Sequence, residues 1–156
     1  MKKEAITMFY SAEQNICYSS AKRKPVKRGN TSFPKCGELW MCDLPRVGGS
    51  VQYGMRPVFI LSNDKNNCYA PTVNVLPITS KLNKRCLPVH VDILDYKKYG
   101  LDVPSTIMAE QLLTVPAYNL KYKMGDADVS LLCKIGRALS IQMPVISHAA
   151  DMTSLS

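Results

Sequence analysis

Between Cys36 and Met124 the chain is written in strand-length apolar segments, cut apart by glycine, proline and short polar clusters. That punctuation leaves little room for long helices and favours many short strands. Glu38-Leu39-Trp40-Met41-Cys42-Asp43 predicts a first strand, stopped by Pro45. A Gly-rich loop from Val47 to Gly54 leads into Arg56-Pro57-Val58-Phe59-Ile60-Leu61-Ser62, whose nearly continuous apolar run predicts a strand buried on both faces. Residues 63–67 read as a polar turn. Residues 73–79 predict a third strand, with Pro77 marking a bend or an edge position. After a basic loop at 80–85, Val89-His90-Val91-Asp92-Ile93 alternates apolar and polar, so one face is covered and the other wet. Residues 95–100 predict one helical turn closed by Gly100, and 105–113 and 118–124 two more strands. A helical repeat settles in only after Asp128 and runs to Met143, with Val129, Leu132, Cys133, Gly136, Leu139 and Ser140 on its core stripe. Asp126 or Asp128 can cap it. These elements imply an α+β chain, mainly β: a small twisted barrel with a C-terminal helix packed on it.

The chain has 156 residues, the length of one domain, and 46% of them are hydrophobic, enough to close a core. No apolar run approaches the roughly 20 residues that cross a bilayer, and the start, Met1-Lys2-Lys3-Glu4, leads into no signal-peptide apolar stretch. A cytoplasmic protein without a membrane partner is expected. Its net charge of +8 is unevenly placed. Residues 1–35 carry eight basic side chains against Glu4 and Glu13, a net +6, whereas 36–156 carry only +2. The expected organisation is a basic N-terminal extension at 1–35, partly disordered or helical, followed by a domain at 36–156. Such an extension attracts polyanions without sequence preference. The six cysteines (Cys17, Cys36, Cys42, Cys68, Cys86 and Cys133) include no C-x-x-C pair, and only His90 and His148 could join them. Free thiols, no metal site and no cofactor are therefore expected.

No G-x-x-x-x-G-K-[ST], H-E-x-x-H or G-x-S-x-G motif is present. Two loops stand out instead. In the first, Gly48, Gly49 and Gly54 let the backbone approach a ligand closely, with Gln52, Tyr53 and Arg56 projecting at its end. The second, Thr79-Ser80-Lys81-Leu82-Asn83-Lys84-Arg85, offers hydroxyls, an amide and three cations, a set suited to phosphate recognition. Taken alone, an Arg before Pro at a strand start reads as a surface residue, and Thr79 and Ser80 as turn hydroxyls. His90 is expected to face solvent or a groove rather than act as a base, and Asp102 and Glu110, which nothing in the sequence pairs, read as dispersed acids, either on the surface or just behind a site.

Several separate segments nevertheless resemble the MazF/PemK toxin family: Gly37-Glu38-Leu39-Trp40, the run from Gly49 to Val58, Ser62-Asn63-Asp64, Pro71-Thr72-Val73, Pro77-Ile78-Thr79-Ser80-Lys81 and Leu87-Pro88-Val89-His90-Val91. Tyr99-Gly100-Leu101-Asp102, Glu110-Gln111-Leu112-Leu113-Thr114 and the terminal helix continue the match, which covers residues 36 to about 143 in the family's order. The resemblance implies an SH3-like (CcdB/PemK-type) barrel that forms a homodimer. It implies a metal-independent, sequence-specific endoribonuclease that cuts single-stranded mRNA by 2′-OH attack and is inhibited by a MazE-like antitoxin. The family's catalytic Arg and Thr fall on Arg56 and Thr79, and Ser50, Gln52, Asn63, Ser80 and Gln111 fall on its RNA groove. With Tyr53, Lys81 and Asn83 from the two loops, these make the expected RNA-binding set. Many members carry Glu where Val51 stands and a basic residue where Leu113 stands. Those departures motivate an alternative, a catalytically weak RNA- or partner-binding module, and a gyrase-directed toxin on the same fold is a further one.

Overall fold

A computed structural model describes residues 33–81 and 87–145. The elements run β1 (Glu38–Leu44), β2 (Gly54–Ile60), α1 (Asp64–Tyr69), β3 (Thr72–Thr79), β4 (His90–Ile93), β5 (Ser105–Met108), β6 (Leu113–Pro116), β7 (Leu120–Asp126) and α2 (Val129–Gln142). Single 3₁₀ turns at Tyr96–Tyr99, Ala109–Gln111 and Ala117–Asn119 link the later strands. All pairings are antiparallel, in the order β4-β5-β3-β2-β1-β7, with β6 also on β3.

β3 organises the sheet. Residues Val75 to Pro77 pair with β2 along one edge, while the other edge is shared: Thr72 to Val75 pair with β6, and Ile78 and Thr79 pair with β5. Pro77 therefore sits in a strand flanked on both sides, not at an edge. It falls in the step where β3 exchanges β6 for β5, a place where the ladder is already interrupted. The alternating side chains of β2 feed two cores, as its unbroken apolar run requires. Phe59 joins Leu39, Leu76, Ile78, Val91 and Ile107 beneath α2, whereas Val58 and Ile60 join Cys42, Leu44, Val73, Val75 and Val115. Burial in the second cluster pushes the Cys42 thiol up to about 11.

Three local expectations give way. Residues 63–67 are not a simple turn: Asn63 Oδ1 accepts from the Asn66 N–H at 2.8 Å, capping a short helix, α1, whose Asn67 is buried. The single strand expected at 105–113 is two strands, because the 3₁₀ turn at Ala109–Gln111 carries the chain from the β5 pairing to the β6 pairing on the same strand β3. Helix α2 has its predicted extent, and Asp128 is its cap, but its buried stripe is Leu131, Ile135, Ala138 and Leu139. Val129 is 57% exposed, and Cys133 and Gly136 also face outward. Both stripes obey helical spacing, so periodicity could not choose between them; the larger side chains, Leu131 and Ile135, meet the sheet. Among the described residues no helix is long and apolar enough to cross a membrane, and no group of His, Cys, Asp and Glu could hold a metal.

Candidate active site

The fold brings Arg56 and Thr79 together. β2 and β3 pair with Val58 opposite Pro77, and Arg56 and Thr79 lie two residues beyond that pair on their respective strands. Both line one cleft of about 350 Å³ with Gln52, Ser80 and Lys81. Met41, Met55, Leu101 and Met124 form its apolar walls, and polar groups come from Asp102, before β5, and from Ser105, its first residue.

Arg56 is half-buried and aimed by its own loop. Its Nε donates to the Tyr53 carbonyl at 2.9 Å, and its Nη1 donates to Gln52 Oε1. Burial pulls the guanidinium below its ordinary value, yet an arginine remains cationic throughout the physiological range. Thr79 is buried, and its Oγ1 accepts from the Lys81 N–H at 3.2 Å, which leaves the hydroxyl proton available to an acceptor in the cleft. Ser80 and Lys81 are exposed at the rim.

The loop between β1 and β2 is held from outside. Gln111 Oε1 accepts from the Gln52 N–H at 2.9 Å, and Gln111 Nε2 donates to the Ser50 carbonyl at 3.2 Å. Gln111 and Ser50 thus support the loop rather than line the cleft. Tyr53 is exposed, with the Arg46 guanidinium carbon 5.2 Å from its ring centroid. Asn63 does not join the cleft; it is spent on capping α1. Asn83 lies outside the described residues. Val51 and Leu113 do not line the cleft either: Leu113 is half-buried, opposite Val75, against the second core cluster.

His90 and Glu110 differ from expectation. The His90 side chain is only 6% exposed, and its Nε2 lies 2.9 Å from Glu110 Oε1. Strand pairing brings them together: the β4–β5 register pairs His90 with Met108, and Glu110 follows two residues later in the 3₁₀ turn. An alternating pattern shows which residues leave the core but not which of them meet a neighbour across the ladder. Of the two positions the sequence left open for Asp102, the structure gives the one at the site, on the cleft wall. The one sign of it in the sequence was its place in the Tyr99-Gly100-Leu101-Asp102 segment that carries the resemblance.

The fold is a mainly-β antiparallel sheet with a terminal helix and a cleft that holds Arg56, and comparison with known proteins gives its family. Residues 35–143 match the family described as the PemK-like, MazF-like toxin of type II toxin–antitoxin systems. The chain is 42% identical over 107 residues to endoribonuclease MazF of Staphylococcus epidermidis, covering 69% of this chain and 88% of that protein. It is 38% identical over 112 residues to endoribonuclease EndoA of Bacillus subtilis (strain 168), covering 72% and 96%. A MazE–MazF crystal structure from Deinococcus radiodurans shares the fold with a TM-score of 0.58 at 18% identity, covering 73% of this chain and 98% of that one. The chain belongs to the PemK-like, MazF-like toxin family.

Proposed function

We propose that this chain is an mRNA-cleaving endoribonuclease, the toxin of a toxin–antitoxin pair, that cuts single-stranded RNA at a short sequence without a metal ion. Its relatives of 38% and 42% identity are endoribonucleases by name, which supports the reaction class. The observation that carries the site is the meeting of Arg56 and Thr79 across neighbouring strands in one cleft. In this reading the ribose 2′-oxygen attacks the adjacent phosphorus while the bond from phosphorus to O5′ breaks. The 2′-hydroxyl gives up its proton, O5′ takes one up, and the products are a 2′,3′-cyclic phosphate and a 5′-hydroxyl. Arg56 stabilises the charge on the phosphorane oxygens through a planar, bidentate cation, and Thr79 donates its hydroxyl to a nonbridging oxygen. A guanidinium is a poor base, so charge stabilisation is its role. Gln52, Ser80 and Lys81 line the path of the strand, with Tyr53 at its edge. Asn83 belongs to the same basic loop.

The division into an extension at 1–35 and a toxin domain at 36–156 fits the family match at 35–143. The chain acts in the cytoplasm as a homodimer and is silenced by a MazE-like antitoxin, as the Deinococcus pair suggests. The test is to incubate antitoxin-free protein with a mixed RNA pool, with and without EDTA, and to sequence the new 5′ ends. Cleavage at one short motif, leaving 5′-hydroxyl ends and unaffected by chelator, is expected. Folded protein that leaves all RNA intact sinks the enzyme reading, and RNA that is bound but uncut would point to the binding-module alternative.

A further inference from the structure

We propose that Gln111 is a positioning residue for Arg56: its carboxamide fastens the loop between β1 and β2 to the 3₁₀ turn at Ala109–Gln111, and through Gln52 that loop sets the place of the guanidinium in the cleft. The inference rests on the endoribonuclease reading and adds a role for a residue that the family resemblance assigns to the RNA groove.

Both polar ends of the Gln111 side chain are engaged with the loop, one accepting from the Gln52 N–H and the other donating to the Ser50 carbonyl. Gln52 then passes the restraint on. Its backbone is held by Gln111, and its side-chain oxygen accepts from Arg56 Nη1. The next residue supplies the second hold, with the Tyr53 carbonyl accepting from Arg56 Nε at 2.9 Å. Every described side-chain hydrogen bond of the guanidinium therefore ends on two adjacent residues of this loop. The loop has little stiffness of its own. Gly48 and Gly49 both take positive φ, residues 45–50 are exposed, and its described internal backbone bond, Val51 N–H to the Gly48 carbonyl, is long at 3.4 Å.

The turn at the other end of the strap is firmly seated. Ala109 is fully buried in the core beneath α2, and its N–H donates to the Val89 carbonyl at 3.0 Å. Glu110 meets the buried His90 at 2.9 Å. Gln111 thus joins a rigid anchor to a pliant loop, 59 positions away in sequence, that carries the aim of the charged group. The strap uses one lone pair of Oε1 and one N–H of Nε2, so the effect on kcat against KM, rather than hydrogen-bonding capacity, separates loop support from base contact. Misplacing a transition-state group by about 1 Å costs on the order of 10²-fold in rate, so the strap belongs to the chemical step rather than to RNA capture.

Three variants test it, Gln111→Leu, Gln52→Leu and the pair together, each first checked for cooperative thermal unfolding. For Gln111→Leu, kcat on an RNA oligonucleotide is expected to fall by about 10- to 100-fold while KM stays within about threefold. The double variant should be no slower than the slower single one, because both break the same chain of contacts. Independently of catalysis, amide exchange at Gln52 should accelerate by about tenfold or more, and the Arg56 Nε–H resonance should shift or broaden. Unchanged exchange and an unmoved Arg56 resonance overturn the strap, as does unchanged kcat or a loss confined to KM, which marks direct RNA contact. Wild-type protein that cuts no RNA overturns the enzyme reading, and the exchange measurement still decides whether Gln111 holds the loop.

Discussion

Arg56 shows how little a residue type says about its task until its neighbours are known. In the sequence it precedes a proline at the start of a strand, a setting that ordinarily belongs to surface arginines. Family resemblance singled it out, and the fold then brought it into one cleft with Thr79. Its two described hydrogen bonds show why lysine is a poor substitute, since one ammonium cannot hold the Tyr53 carbonyl and Gln52 Oε1 while presenting a planar fork to a phosphate. Arg56→Ala is expected to lower kcat by about 10²-fold or more, and Arg56→Lys should lose most of the same factor although it keeps the charge. Single-turnover cleavage of one RNA substrate measures both, and a lysine variant with near wild-type rate would show that charge alone suffices. Other residues were less legible. Asn63 matched the groove pattern, but a helix cap claimed its side chain. Gln111 could not announce its link to Ser50 and Gln52, because contacts across 59 and 61 positions depend on how the strands stack.

Elements were legible where local chemistry decides them and illegible where packing does. Asp128 belongs to the first kind: an aspartate just before a helical repeat predicts a cap, and its Oδ1 does accept from the Leu131 N–H at 2.9 Å. Its other contacts are tertiary. Lys98 Nζ lies 2.5 Å from Oδ2, and the Tyr99 hydroxyl donates to Oδ1 at 3.0 Å, so one carboxylate ties α2 to the turn at Tyr96–Tyr99. The lysine first, and the helix N–H second, hold this carboxyl down at about 2, below its ordinary 3.8. A depressed carboxylate stabilises the folded state above its unfolded value and loses that contribution as pH falls through the folded one. Thermal melts should therefore show the advantage of wild type over Asp128→Asn, which keeps a capping oxygen but cannot titrate, shrinking between about pH 4 and pH 2. A constant gap across that window would mean that the pairing with Lys98 adds nothing. The α2 stripe belongs to the second kind, since two sets of positions satisfied the same period and only the sheet beneath could select one. The same holds at Ala109–Gln111, where the apolar run gave no sign that β3 would take two partners along one edge.

Across the whole molecule, charge and chemistry are separated along the chain. The family match begins at residue 35, and residues 1–35 hold +6 of the net +8. The matched domain therefore carries Arg56 on a nearly balanced body, with Asp102 on the wall of the same cleft. A body of that kind gains little from long-range attraction to RNA, and we propose that the cationic leader raises local polyanion concentration in its place. Five of the leader's cations, Lys22, Arg23, Lys24, Lys27 and Arg28, fall within one short run. Each phosphate they neutralise on a single strand adds about 0.7 to the steepness with which log affinity falls against log salt. Removing residues 1–35 is expected to flatten that dependence by up to about 3.5, should all five engage. The cut-site motif and the saturating rate should stay unchanged, because Arg56, Thr79, Gln52, Ser80 and Lys81 all lie within the family match at 35–143. Filter-binding titrations of full-length and truncated protein on one noncleavable RNA, from low to physiological salt, give the two slopes directly. Equal slopes would place RNA affinity wholly in the domain, and the two basic side chains by which its cations outnumber its acids would then have to be gathered at the cleft rim around Lys81.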